Sequence, residues 1–262
     1  MKLNFKKYGE GEPLVILHGL YGSSDNWVTI ARRFDFQFSV YLIDQRNHGH
    51  SPHSSVHNYG EMLEDLLEFM NEHNLTKSTI LGHSMGGKTA MYFAQKYPER
   101  VKTLIVADIS PFAYKMEFAN NHEFIISNLL SLNLKSFSTR NEIDIKLSES
   151  IKQKSLRNFL LKNISRADDN SFEWLLNLKA IKNNIHNILN GFDREINPII
   201  EFPVLFIKGE NSPYISGNDL QDILKIFPNA DFKTISKAGH WLHAEQPEIF
   251  STIVLNFLNK TK

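Results

Sequence analysis

The chain predicts an α/β protein, a doubly wound and mostly parallel sheet interrupted once by an inserted helical cap. Three observations carry this. Short apolar runs at 14–17, 39–43, 79–81 and 103–107 have the length and composition of strands buried on both faces, with helical patterns between them. Beyond position 112 the texture changes to Asn, Lys and Ser among scattered Leu, Ile and Phe, with helical segments at 117–132 and 155–163 and no strong strand alternation. From Pro203 the first texture returns, with strands expected at 203–209 and 231–235 and helices at 219–227 and 248–258. The expected organisation is therefore a core in two parts, 1–111 and 201–262, around a cap insertion at 112–200. Alternating strands and helices imply right-handed crossovers within the core.

The clearest helix starts after Asn58, an N-cap with Glu61 three residues on, and repeats apolar residues at Met62, Leu63, Leu66, Leu67 and Met70. At 262 residues the chain is long enough to bury roughly 70–75% of its unfolded surface without staples. There is no cysteine, which excludes disulfides, thiolate metal sites and a cysteine nucleophile. Twenty-nine basic and twenty-nine acidic residues cancel, so no global field attracts nucleic acid or an anionic membrane. The first residues lack an apolar secretion signal and no run approaches the ~20 apolar residues of a membrane span, so a cytoplasmic protein without membrane insertion is expected.

Gly82-His83-Ser84-Met85-Gly86, between an apolar run and an amphipathic helix, reads as a nucleophile elbow. A serine on so sharp a strand-to-helix turn needs small residues two positions to either side, because backbone segments approach too closely for a Cβ. The same residues fit a phosphate-binding loop, with Gly82 followed after four residues by Gly87-Lys88-Thr89 and a Walker-B-like run at 103–108. The rest of the chain must decide between them.

A serine hydroxyl needs a base to take its proton. His240, in a Gly-His pair between the last strand and the last helix, stands where chain order expects that base. Leu17-His18-Gly19-Leu20-Tyr21-Gly22-Ser23 ends the first long strand, and the backbone N–H groups of Leu20 and Met85 are the oxyanion-hole candidates, each worth roughly 3 kcal/mol of transition-state stabilisation. The loop after the penultimate strand, Gly209-Glu210-Asn211-Ser212-Pro213-Tyr214, has no aspartate where the acid is usually found. Asp108, at the carboxyl end of the strand following the elbow's own, is the leading candidate for the acid, with Glu210 and Asp219 as alternatives. His48, His50, His53 and His57 crowd one loop without carboxylates at ligand spacing, so a brace in which Asp44 pairs with Arg46 is expected there rather than a metal site. Lys88 reads as solvated or locally hydrogen-bonded, and Trp241 and the phenylalanines of the insertion as core.

Taken together, these residues resemble the α/β-hydrolase superfamily, and within it the YbfF-type bacterial esterases, whose animal relatives are the mitochondrial α/β-hydrolase domain 11 proteins. The resemblance rests on the segment from His18 to Ser23 with Asp25-Asn26, on Asp44 with Arg46-Asn47-His48-Gly49 and Ser51-Pro52, on Gly82 to Lys88, on Asp108-Ile109, on Asn211-Ser212-Pro213-Tyr214, and on Ala238-Gly239-His240-Trp241 with His243-Ala244-Glu245. It implies an α/β-hydrolase fold in which Gly-Lys after the elbow is habitual, weakening the phosphate-loop reading. It also implies that Asn-Ser-Pro-Tyr replaces the usual acid loop, favouring Asp108. The implied activity is hydrolysis of small carboxylic esters or acyl thioesters by Ser84, His240 and Asp108 through an acyl-enzyme, with no cofactor and no metal. A same-fold lyase, a P-loop nucleotide hydrolase and a catalytically silent binding module are the competing readings.

Overall fold

A computed structural model describes residues 1–114, 116–192, 198–217 and 219–261. Residues 115 and 193–197 of the expected insertion lie outside the described residues. In chain order the first block comprises β1 (Phe5–Tyr8), β2 (Glu12–Leu17), α1 (Val28–Ala31), β3 (Phe38–Ile43), α2 (Tyr59–Glu72), β4 (Ser78–His83), α3 (Met85–Lys96) and β5 (Val101–Ala107). Next come α4 (Met116–Ser131), α5 (Arg140–Ser148), α6 (Lys154–Leu161), β6 (Ile164–Arg166), β7 (Phe172–Trp174), α7 (Leu178–Asn183) and α8 (Ile185–Leu189). The chain closes with β8 (Val204–Gly209), α9 (Asp219–Ile226), β9 (Ala230–Ile235), α10 (Leu242–Glu245) and α11 (Pro247–Lys260).

Seven strands form one sheet in the order β1-β3-β2-β4-β5-β8-β9, parallel except where β1 runs antiparallel to β3. Strand β1 escapes sequence reading because Phe-Lys-Lys-Tyr is neither an apolar run nor an alternating one; it forms an edge whose residues are at most half-buried. The three-residue β6 and β7 make a small antiparallel pair inside the otherwise helical segment between β5 and β8, too short to leave a period in the sequence. Helix α2 begins as its cap predicts, with Asn58 Oδ1 accepting the Glu61 N–H at 2.9 Å.

The sheet is coated on both faces. Leu63 and Phe69 of α2, Ala90 and Phe93 of α3 and Ile223 of α9 pack on one side. Trp27, Ile30 of α1, and Phe250 and Val254 of α11 pack on the other. Burying each large side chain is worth about 1.5–3 kcal/mol, so these two layers carry most of the driving force. A third apolar cluster lies within the segment between β5 and β8, built from residues such as Ile126, Ile143, Leu160 and Ile181, and it takes in Tyr21 from the loop after β2, with Leu20 packed against it.

Register then positions the chemistry. Pairing of Gly82 with Val106 and His83 with Ala107 brings Ser84 and Asp108 out side by side at the carboxyl edge of neighbouring strands. That edge is where open α/β sheets hold their ligands.

Candidate active site

Ser84 sits between β4 and α3 with φ 53° and ψ −122°, a conformation that costs a non-glycine residue of order 1–3 kcal/mol and persists only when its surroundings enforce it. Two neighbours make the turn possible. A Cβ on Gly82 would fall 2.2 Å from the Gly86 carbonyl oxygen, and one on Gly86 would fall 2.3 Å from that of Leu17. Ser84 N–H donates to Ala107 C=O at 3.0 Å, pinning the turn to β5.

Three side chains from distant parts of the chain meet above this turn. His240 Nε2 lies 3.1 Å from Ser84 Oγ, and His240 Nδ1 lies 2.7 Å from Asp108 Oδ2. A carboxylate can only accept, so the proton of the neutral ring rests on Nδ1 and the Nε2 lone pair faces the serine. Asp108, fully buried at φ 53°, is also bonded by the loop that lacks an aspartate of its own: Gly209 N–H donates to Oδ1 at 3.0 Å and Ser212 Oγ donates to Oδ2. The other acidic candidates are engaged elsewhere. Glu210 accepts from Lys237 N–H and Ser236 Oγ on the surface, and Asp219 accepts from Ser216.

Sequence reading did not find the groups that hold His240 in place. The Tyr214 ring stacks on the imidazole with centroids 3.8 Å apart and planes 17° apart. From the elbow itself, His83 Nε2–H donates to the His240 carbonyl at 2.8 Å. Burial, reinforced by the His240 and His243 charges, holds the His83 ring well below the usual histidine range, so it stays neutral and serves as a fixed donor. The signals were the conspicuous histidine inside the elbow and the tyrosine at the end of Asn-Ser-Pro-Tyr.

The loop from β2 approaches from the other side. Gly22 N–H donates to Gly19 C=O at 2.9 Å, closing a turn that carries Leu20 at its second position. Among the described hydrogen bonds, the backbone N–H groups of Leu20 and Met85 have no protein acceptor. His18 braces the base of this loop: Nδ1–H donates to Gly19 C=O at 2.8 Å and Nε2 accepts the Gln45 N–H at 3.0 Å. Above Ser84 opens a cavity of about 1100 Å³, bounded by Leu20 and His240 below and by Phe118, Phe124, Ile125 and Phe159 from the segment between β5 and β8.

Residues 12–247 match the alpha/beta hydrolase fold family. The chain belongs to that family. It is 37% identical to the sn-1-specific diacylglycerol lipase ABHD11 of Danio rerio over 97% of this chain and 80% of that one. It is 32% identical to esterase YbfF of Escherichia coli K12 over 99% of this chain and the whole of that one. Among solved structures, a marine microorganism esterase superposes with a TM-score of 0.95 at 50% identity, over 98% of this chain and 99% of the other.

Within this α/β-hydrolase several side chains are placed differently from the sequence expectation. Asp44 and Arg46 do not pair. Arg46 makes a two-pronged ion pair with Asp65 of α2, at 2.6 and 2.9 Å, while Asp44 accepts from the Asn4 side chain at 2.7 Å and from the Ser24 and His50 N–H groups at 2.6 and 3.0 Å. Lys88 is not solvated. Its ammonium is buried, donates to the Phe112 carbonyl at 2.9 Å and to that of Asn190, and lies 4.5 Å from the centre of the Tyr114 ring. Burial lowers its pKa to about 7. Pointed at these two carbonyls of the segment between β5 and β8, it is turned away from the phosphate role its motif suggested. Trp241, Phe118, Phe124 and Phe159 line the cavity rather than a closed core. Among the described residues no group of three or more histidine and carboxylate side chains is arranged to hold a metal ion, and no helix is long and apolar enough to cross a membrane.

Proposed function

We propose that the protein hydrolyses small carboxylic esters, acyl thioesters included, through a serine ester. The observation that carries this reading is the continuous hydrogen-bonded line from Ser84 Oγ to His240 to the buried Asp108. His240 Nε2 takes the Ser84 proton as Oγ attacks the acyl carbonyl, and the ring becomes a cation. Asp108 stabilises that cation and keeps the nitrogen assignment fixed, while Gly209 N–H and Ser212 Oγ hold the carboxylate still. The carbonyl oxygen, now an anion, accepts from the Leu20 and Met85 N–H groups, for which no acceptor is found among the described residues. His240 then gives its proton to the departing alcohol or thiol, and an acyl group remains on Ser84. Water, deprotonated by the same imidazole, attacks this ester; collapse returns the proton to Ser84 and releases the acid.

In this reading residues 112–200 act as a cap over the two-part core, 1–111 and 201–262, and their aromatic wall shapes the acyl pocket. Hydrolysis of p-nitrophenyl butyrate by the wild type and by Ser84→Ala tests the nucleophile. Undiminished turnover by the variant, or failure of an alkyl fluorophosphonate to label Ser84, overturns the proposal.

A further inference from the structure

The turn that carries Leu20 contains a conformation that the reaction alone does not explain. Tyr21 occupies its third position with φ 61°, a place where such turns take glycine or asparagine because a Cβ crowds the following carbonyl. An aromatic residue stays there only if outside contacts hold it. His48 Nε2 accepts the Tyr21 N–H at 3.2 Å, and His48 Nδ1–H donates to the Arg46 carbonyl at 2.9 Å, so the accepting nitrogen is fixed. On the other side of the residue, Asn163 Nδ2 donates to the Tyr21 carbonyl at 2.7 Å, and the phenol oxygen lies 3.3 Å from His122 Nδ1. Asn163 and His122 both belong to the segment between β5 and β8, and the Tyr21 ring is packed into that segment's own apolar cluster.

Asn163 is built for this contact. It is buried, its side-chain nitrogen also donates to Leu160 C=O at 3.1 Å, and its backbone carbonyl accepts the Leu175 N–H at 2.8 Å, so the residue is anchored between α6 and the end of β7. The two peptide planes flanking Tyr21 are thus gripped from opposite directions, one by the core and one by the inserted segment. Leu20, immediately before, has little freedom of its own.

We propose that Asn163 is a positioning residue for the oxyanion hole: its hydrogen bond to the Tyr21 carbonyl keeps a strained turn in the shape that aims the Leu20 N–H above Ser84, so seating of the inserted segment sets transition-state stabilisation as well as pocket shape. This rests on Leu20 being an oxyanion donor.

The test uses p-nitrophenyl butyrate and the full chain. Asn163→Ala lowers kcat about 10-fold or more with KM within about twofold, because a misaimed donor is lost in the transition state and not in substrate binding. The rate of fluorophosphonate labelling of Ser84 falls by a similar factor, since phosphonylation uses the same donors. Glycine adopts a left-handed φ without strain, so on a Tyr21→Gly background the further loss from Asn163→Ala shrinks to less than about threefold. If Asn163→Ala is recovered unfolded, Asn163→Ser is read by the same three measurements. Unchanged kcat in Asn163→Ala, a rise in KM alone, or an equal loss on the glycine background overturns the positioning role while Ser84→Ala remains inactive. An active Ser84→Ala instead overturns the hydrolase reading on which the role depends.

Discussion

Two loops of this protein are rich in apparent chemistry, and they behave oppositely. The loop from β3 into α2 carries four histidines within ten positions, whereas the loop from β9 to α10 presents His240. In the first loop, His48 has both nitrogens committed to backbone partners and is fully buried, and His57 is equally buried. Their surroundings oppose charge: burial dominates, and the neighbouring His18, with Arg46 for His57, adds repulsion. His240, by contrast, keeps 18% of its side chain exposed to the cavity and has a buried carboxylate on one nitrogen and a serine hydroxyl on the other. The difference teaches that density of titratable residues is a poor guide to reactivity. A proton carrier needs an accessible nitrogen and an anion to stabilise its cation; His48 and His57 are desolvated and, among the described hydrogen bonds, have no carboxylate on a ring nitrogen.

The comparison breaks or sharpens under substitution. The largest effect is expected for Ser84→Ala and His240→Ala, each lowering kcat about 10⁶-fold, with assays on p-nitrophenyl butyrate as the measure. Next, Asp108→Asn lowers kcat about 10⁴-fold, since an amide neither stabilises the imidazolium nor fixes the nitrogen assignment, whereas Asp219→Asn stays within about twofold. A collapse in Asp219→Asn instead would relocate the acid. In the crowded loop, His57→Leu should leave kcat within about threefold; a loss approaching that of His240→Ala would abolish the distinction drawn between the loops.

Stability sharpens it further. Lys88→Ala removes a buried ammonium from two carbonyls and leaves a void, and about 2–4 kcal/mol of stability should be lost in urea unfolding while far-UV circular dichroism of the folded state is unchanged. The smallest effect is a pH dependence. Burial, with the Arg46 and His18 charges, lowers the His57 pKa to about 3 in the folded chain, while the unfolded ring titrates near 6.5. Between these values the unfolded chain binds the extra proton, so this contribution to stability is complete above pH 6.5 and shrinks as pH falls toward 3. By pH 5.5 about 1.4 kcal/mol of it is lost, so between pH 7 and 5.5 the unfolding free energy of His57→Leu should fall about 1.2 kcal/mol less than that of the wild type; an unchanged pH slope would show the ring to be protonated in the folded state.

Features that depend on near neighbours in the chain were legible without coordinates. The elbow is one, because the steric problem at Ser84 is solved within two residues on either side by Gly82 and Gly86. The cap at Asn58 and the buried strands β2 to β5 are others, marked by a capping residue and by short apolar runs. Only the tertiary structure decided which groups face each other across a hundred positions. Asp108 meets His240 and draws support from Ser212 and Gly209, Arg46 chooses Asp65 over Asp44, Lys88 turns to two carbonyls, and Asn163 reaches Tyr21. The reason is physical. A turn or a period is a short-range steric and solvation pattern that residue types express directly, but one carboxylate or amide reads like another until folding sets its distance, its burial and the partners left over.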